Sequence, residues 1–164
     1  MIIKQIDSLA SDGYATYVFS LVDYMIQPKK TKINEATLYI ACRGGTFDDI
    51  DTARAELAAM ADGKKKGKNP TMHLVISWRE GEFPSNQDVD EAVRILMEEL
   101  NLAGHLVVYA LHLDTDNLHV HVAVSRVHPE TERLITPANG LYLEAIHKAT
   151  ARIEHAQGLV LVAV

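Results

Sequence analysis

The sequence predicts an α/β domain in which a mainly antiparallel central sheet is flanked by helices. Three observations predict it. Segments of two-residue alternation interleave with segments of helical spacing, in the order β-α-β-α-β-α-β-β-α. Two strand-like segments, 105–113 and 118–127, are separated only by the polar stretch "DTDN", so they pair as an antiparallel hairpin. The chain has 164 residues, 48% of them apolar, which suits one domain over 1–164 with a real core.

Each element has its own signal. "MIIKQI" (1–6) reads as a short strand, and "SLASDGYAT" as a loop. "YVFSLVDYMI" (17–26) has apolar residues at 18, 19, 21, 22, 25 and 26, a helical spacing that Pro28 stops. "ATLYIACRG" (36–44) is a strand that ends at Gly44-Gly45. "FDDIDTARAELAAMA" (47–61) is an amphipathic helix with acidic residues in its first turn, where the helix dipole favours them. The loop "GKKKGKNP" leads to the strand "TMHLVISW" (71–78). A helix over 85–102 opens with Ser85 as cap and Asp88 in its first turn. The hairpin follows, then a helix over 140–156 and the apolar tail "LVLVAV". The abrupt end of that tail suggests a piece of a longer protein.

Composition narrows the class. The apolar runs are too short to cross a bilayer, and "MIIKQIDSLASDG" lacks the apolar stretch of a secretory signal. The single cysteine, Cys42, rules out an internal disulfide and reads as a small strand residue. A reducing cytoplasm fits. The net charge of −6 argues against a nucleic-acid partner. Charge position argues otherwise. "PKKTK" (28–32) and "KKKGK" (64–68) hold three and four lysines, seven of the sixteen Lys and Arg residues. The run at 64–68 fits a solvated loop as well as a DNA contact.

The hairpin carries the chemistry. In 118–124, Leu118, Val120, Val122 and Val124 share one face, and His119, His121 and Ala123 the other. In the preceding strand, Ala110, His112 and Asp114 share a face. The turn brings His112 beside His119 and His121, and three imidazoles on rigid strands make a divalent-metal site with open positions. A His-x-His pair on an amphipathic strand is often only a solvent face. The third histidine across the turn favours the metal. Asp114 can orient a ligand imidazole or belong to the turn, to which Asp116 and Asn117 are assigned.

The stretch "HLDTDNLHVHVAVSRVHPET" resembles motif III of conjugative relaxases of the MobA/TraI-like, MOBP-type branch, within the HUH endonucleases. "MHLVISWREGE" is similar to the central strand of that family, which ends in a serine and an aromatic residue. The helix "DVDEAVRILMEELNLAGH" and the segment "HPETERLI" fit as well, so the resemblance runs from about residue 14 to residue 157. It implies an HUH relaxase-like fold and a single-stranded DNA transesterase acting at a transfer origin. It also implies a Mg²⁺ or Mn²⁺ ion on His112, His119 and His121, and accessory relaxosome proteins in a bacterial cytoplasm. In motif I the pattern points to Tyr24 as nucleophile, with Tyr17 and Tyr14 as runners-up. Its oxygen would attack the scissile phosphate, leaving a 5′-phosphotyrosyl link and a free 3′-hydroxyl.

A tyrosine hydroxyl titrates near 10 and is a poor nucleophile at neutral pH unless assisted. The metal would neutralise charge that grows on the phosphate oxygens, and Asp114 or an imidazole would take the proton. Ser77 matches the serine of motif II, which holds DNA near the nick; a strand-end hydroxyl capping backbone is the plainer alternative. Arg79, Arg126, Lys29, Lys30 and Lys32 are candidates for phosphate contact. His73 shares a strand face with Ser77 and either supports the metal shell or is a hydrogen-bonded core residue. Trp78 either stacks a base or packs. His105, His128, His147 and His155 are assigned to structure or surface. The acidic balance departs from the basic face usual in such domains. The rivals are a replication-initiator HUH nuclease, for which Tyr142 is the one tyrosine after motif III, a three-histidine metallohydrolase, and a DNA-binding module without catalysis.

Overall fold

The computed structural model describes residues 1–7, 13–26, 36–62, 69–113, 116–135 and 141–159. Nine elements follow one another in the expected order. They are β1 (Ile2–Ile6), α1 (Tyr14–Ile26), β2 (Ala36–Arg43), α2 (Ile50–Asp62), β3 (Thr71–Ser77), α3 (Asn86–Glu99), β4 (Val107–Leu113), β5 (His119–Ser125) and α4 (Leu141–Ala156). The five strands form one sheet in the order β1-β3-β5-β4-β2, and every neighbouring pair is antiparallel. The histidine hairpin β4-β5 therefore lies inside the sheet, away from both edges.

Alternation sorts the strands between two cores. Leu74, Ile76, Tyr109, Leu111, Val120 and Val122 pack with Val89, Val93 and Leu96 of α3 and with Ala149 and Ile153 of α4. Val108, Ala110 and Ala123 face the other way, against Val18 and Val22 of α1 and Ala53 and Leu57 of α2. Each large apolar side chain so buried contributes roughly 1.5–3 kcal/mol. The His112, His119 and His121 side chains follow Ala110 and Ala123 in this alternation, so they project on the α1/α2 face of the sheet.

Local chemistry sets the element ends. Ser85 Oγ accepts from the Asp88 backbone N–H at 3.1 Å, and Asp88 Oδ2 accepts from the Ser85 N–H at 2.8 Å, the expected capping box. Helix α1 starts three residues earlier than its periodicity predicts. Gly13, at φ +96°, turns the chain there, and its carbonyl accepts the first helical bond from the Tyr17 N–H at 3.1 Å. A bulge in β2 sets Thr37 opposite His112 and Tyr39 opposite Leu111, with Leu38 as the extra residue. The bulge aims Thr37 at the histidine face.

Candidate metal centre

His112 and His119 are directly opposite each other across β4-β5, and His121 lies opposite Ala110, one alternation along. One nitrogen from each of His112, His119 and His121 lies within 4.8 Å of the others, and all three side chains are buried. Two nitrogens about 2.1 Å from one ion lie at most about 4.2 Å apart, so small ring movements would close the triad over a metal.

The partners of the other ring nitrogens decide whether a metal fits. His112 Nε2 lies 2.8 Å from the Met25 carbonyl. A carbonyl only accepts, so Nε2 carries the proton and Nδ1 presents its lone pair. His119 Nδ1 lies 3.1 Å from the Asn117 carbonyl, which by the same reasoning leaves the lone pair on Nε2. His121 Nδ1 lies 2.9 Å from His73 Nε2, and His121 Nε2 is buried with no hydrogen-bond partner among the described residues. An orphaned imidazole nitrogen in the interior costs energy unless something occupies it. Each ring is thus held by its outer nitrogen, the arrangement that orients metal-ligating histidines.

Electrostatics agree with that chemistry. Burial, reinforced by His112, His73 and His119, pushes His121 down to about 3, and burial pushes His73 down to about 4. Both rings are neutral at neutral pH, as metal ligation requires. The donor set among the described residues is three imidazoles, which suits Mn²⁺ and later first-row ions better than Mg²⁺.

Tyr24 of α1 faces this cluster. Its ring is 5.4 Å from that of His121 and 6.0 Å from that of His112, edge-on to both, and the residue is 42% exposed. Tyr17 lies seven residues earlier, about 10 Å along the helix axis, and Tyr14 farther still. Tyr142 packs against the α3/α4 core on the opposite face of the sheet, where burial raises its hydroxyl to about 12. Ser77 ends β3 opposite His119, on the histidine face and half-buried.

Other expected residues fare differently. Asp114, Lys29, Lys30, Lys32 and the lysine run 64–68 lie outside the described residues. Arg79 is half-buried in the loop after β3, where its backbone N–H donates to Glu82 Oε2 at 3.0 Å. Arg126 is corrected from a phosphate contact to a structural clamp. It is 5% exposed, and its Nε and Nη2 donate to the Asn69 carbonyl at 3.0 and 2.6 Å, tying the chain before β3 to the end of β5. Trp78 packs rather than stacks. It is 1% exposed, and its Nε1–H donates to Gln157 Oε1 at 3.0 Å. The Met25 carbonyl and Thr37 were missed, because a backbone carbonyl has no sequence signature and Thr37 reaches the site only through the bulge. Asn117, expected to serve the turn, donates from Nδ2 to the Trp78 carbonyl at 2.8 Å and bridges the β5 start to the β3 end.

The family described as "Relaxase: MobA/VirD2-like, nuclease domain" matches residues 24–159. The chain is 51% identical over 102 residues to Protein MobA of Acidithiobacillus ferrooxidans, an alignment covering 62% of this chain and 25% of that protein. It is 32% identical over 145 residues to a Protein TraI of Escherichia coli, covering 80% of this chain and 20% of that protein. The chain therefore spans a quarter or less of the length of these relatives. A solved structure described as "Molecular Basis of Vancomycin Resistance Transfer in Staphylococcus aureus" superposes with a TM-score of 0.60 over 98% of this chain and 95% of that one, at 11% identity, a likeness of fold alone.

Proposed function

Since the chain belongs to the MobA/VirD2-like relaxase nuclease-domain family, we propose that it nicks and rejoins one DNA strand at a transfer origin, through a covalent 5′-phosphotyrosyl intermediate on Tyr24. The observation that supports this most is the seating of a half-exposed Tyr24 ring edge-on against His121 and His112. A Mg²⁺ or Mn²⁺ ion on His112, His119 and His121 would supply positive charge to the non-bridging oxygens of the scissile phosphate.

The residues then divide the work. The Tyr24 oxygen attacks phosphorus, the bond from phosphorus to the 3′ oxygen breaks, and the phosphoryl group stays on tyrosine. The tyrosine proton passes to a base, Asp114 or an imidazole, and the departing 3′ oxygen takes one up. Attack by a 3′-hydroxyl reverses these steps and reseals the strand, with no ATP because the phosphodiester energy is kept in the phosphotyrosine. The carbonyls of Met25 and Asn117 hold His112 and His119 in fixed tautomers, so their ligand nitrogens need no change of protonation to bind an ion. Ser77, one strand over from His119, steadies the DNA near the nick, with Arg79, Lys29, Lys30 and Lys32 as phosphate contacts.

The domain is acidic overall, which supports a reading in which accessory relaxosome proteins or sequences outside this chain supply part of the DNA affinity. No helix among the described residues is long and apolar enough to cross a membrane. We place the reaction in the bacterial cytoplasm.

The test uses single-stranded oligonucleotides tiled from DNA flanking the encoding gene, with Mg²⁺ or Mn²⁺ and a denaturing gel. Wild type forms a covalent adduct and Tyr24→Phe does not. An adduct formed by Tyr24→Phe would overturn the assignment of the nucleophile. Cleaved product without any adduct would make the protein a metallohydrolase instead.

A further inference from the structure

We infer that His73 is a positioning residue that accepts the Nδ1–H of His121 and so turns the His121 Nε2 lone pair toward the metal. The inference rests on the metal site of the proposed function and deepens it. His73 sits on β3 opposite Ala123, and Val75 sits opposite His121. His73 is therefore a diagonal neighbour of His121 on the same face of adjacent strands. Its Nε2 is 2.9 Å from His121 Nδ1, the ring centroids are 5.2 Å apart, and both side chains are 8% exposed.

One proton is shared in that contact, and two tautomer pairs can place it. If His73 Nε2 donates, His121 Nδ1 accepts, and the neutral His121 ring must carry its own proton on Nε2. That nitrogen then has no lone pair for an ion, and a buried N–H points at the triad. If His121 Nδ1 donates, His73 Nε2 accepts, and His121 Nε2 becomes a ligand. The second pairing is the one compatible with a metal, and it removes the orphaned donor.

His112 and His119 differ in this respect, since each donates to a backbone carbonyl that can only accept. Among the described residues, His121 is the ring of the three whose outer nitrogen meets a side chain. Mutating His73 therefore acts on one ligand and leaves the other two held. Loss of such an outer partner typically lowers metal affinity about 10- to 100-fold.

The experiment titrates Mn²⁺ and Zn²⁺ calorimetrically into metal-free wild type, His73→Leu and His73→Gln, and melts each without metal. Leucine fits the buried strand position but cannot accept a hydrogen bond; glutamine can accept through Oε1. The expected result is affinity lowered about 10- to 100-fold in His73→Leu and restored to within a few-fold in His73→Gln. In parallel, ¹⁵N-histidine spectra of the Zn²⁺-loaded wild type should show His121 protonated at Nδ1. Equal affinity in wild type and a folded His73→Leu overturns the positioning role alone, as does a His121 Nδ1 without a proton in the loaded wild type. If His73→Leu does not fold, the spectra and the glutamine variant decide: unprotonated Nδ1, or affinity lost in a folded His73→Gln, overturns it. Wild type that takes up no metal overturns this inference together with the metal site of the proposed function.

Discussion

The backbone carbonyl of Met25 accepts the Nε2–H of His112 at 2.8 Å, one residue beyond Tyr24. The same carbonyl accepts from Thr37 Oγ1 at 3.2 Å. A central strand, an edge strand and the end of α1 therefore meet at one oxygen. The helix that carries Tyr24 is tied to the ring of a triad histidine. Whatever shifts α1 also shifts His112, and the reverse holds.

Thr37→Val tests that junction. Valine keeps the β-branched shape and removes the hydroxyl. Loss of one partly buried hydrogen bond costs about 0.5–1.5 kcal/mol, a fall of a few degrees in Tm for a domain of this size. Adduct formation should drop more than the melting change alone explains, because Tyr24 and His112 lose a shared support. Equal adduct yield per folded molecule would show that Thr37 serves packing only.

His119→Ala removes one of the three imidazoles. Outer-shell partners alone are worth about 10- to 100-fold in metal affinity, so a ligand should cost more than about 100-fold. Elemental analysis after dialysis against a limiting metal buffer checks this. Equal metal content in wild type and variant would remove the basis for the metal site. In wild type, the all-imidazole donor set predicts tighter binding of Mn²⁺ than of Mg²⁺, and of Zn²⁺ than of Mn²⁺.

Much of this site is written in short-range patterns. Alternation alone puts His112, His119 and His121 on one face, because a strand has period two and a short hairpin leaves little freedom in register. The capping box at Ser85 and Asp88 is legible for the same local reason. The partners of the outer nitrogens are not legible. Met25 is 87 positions from His112 and His73 is 48 from His121, so these contacts exist only once the strand order β3-β5-β4-β2 is set. Arg126 was misread for a related reason. Position 126 falls inside the strand expected over 118–127, whereas β5 ends at Ser125 and the backbone carbonyl that takes up the guanidinium is that of Asn69, 57 positions away.

The clamp made by Arg126 gives a prediction that separates structure from DNA contact. Arg126→Met keeps much of the buried stem and removes the donors, leaving the Asn69 carbonyl without them. Asn69 is half-buried, and loss of hydrogen bonds from a charged donor costs about 1.5–3 kcal/mol. The variant should melt several degrees lower, while folded protein binds single-stranded DNA with unchanged salt dependence. A shallower salt slope in a fluorescence-anisotropy titration would instead return Arg126 to the phosphate contacts, since each neutralised phosphate contributes to that slope.

Acid should destabilise the metal-free protein, and the direction follows from the two coupled rings. His121 and His73 titrate at about 3 and about 4 in the fold, against about 6.5 in an unfolded chain. Between these values the unfolded chain binds more protons than the native one, so the free energy of unfolding falls as pH falls. The contribution of each ring is intact above pH 6.5 and is lost progressively toward about pH 4 for His73 and about pH 3 for His121. For His73 it amounts to roughly 3 kcal/mol at full extent. His105 is shifted the same way by burial and steepens the decline. Melts in chelator from pH 8 to pH 4 should show a Tm that is level above about 6.5 and drops below it, with a shallower drop in His73→Leu. A Tm unchanged between pH 7 and pH 5 would mean that these rings are not held neutral by burial. Saturating Zn²⁺ should raise Tm near neutral pH, and its benefit should fade with acid, because binding then competes with protons for the ligand nitrogens.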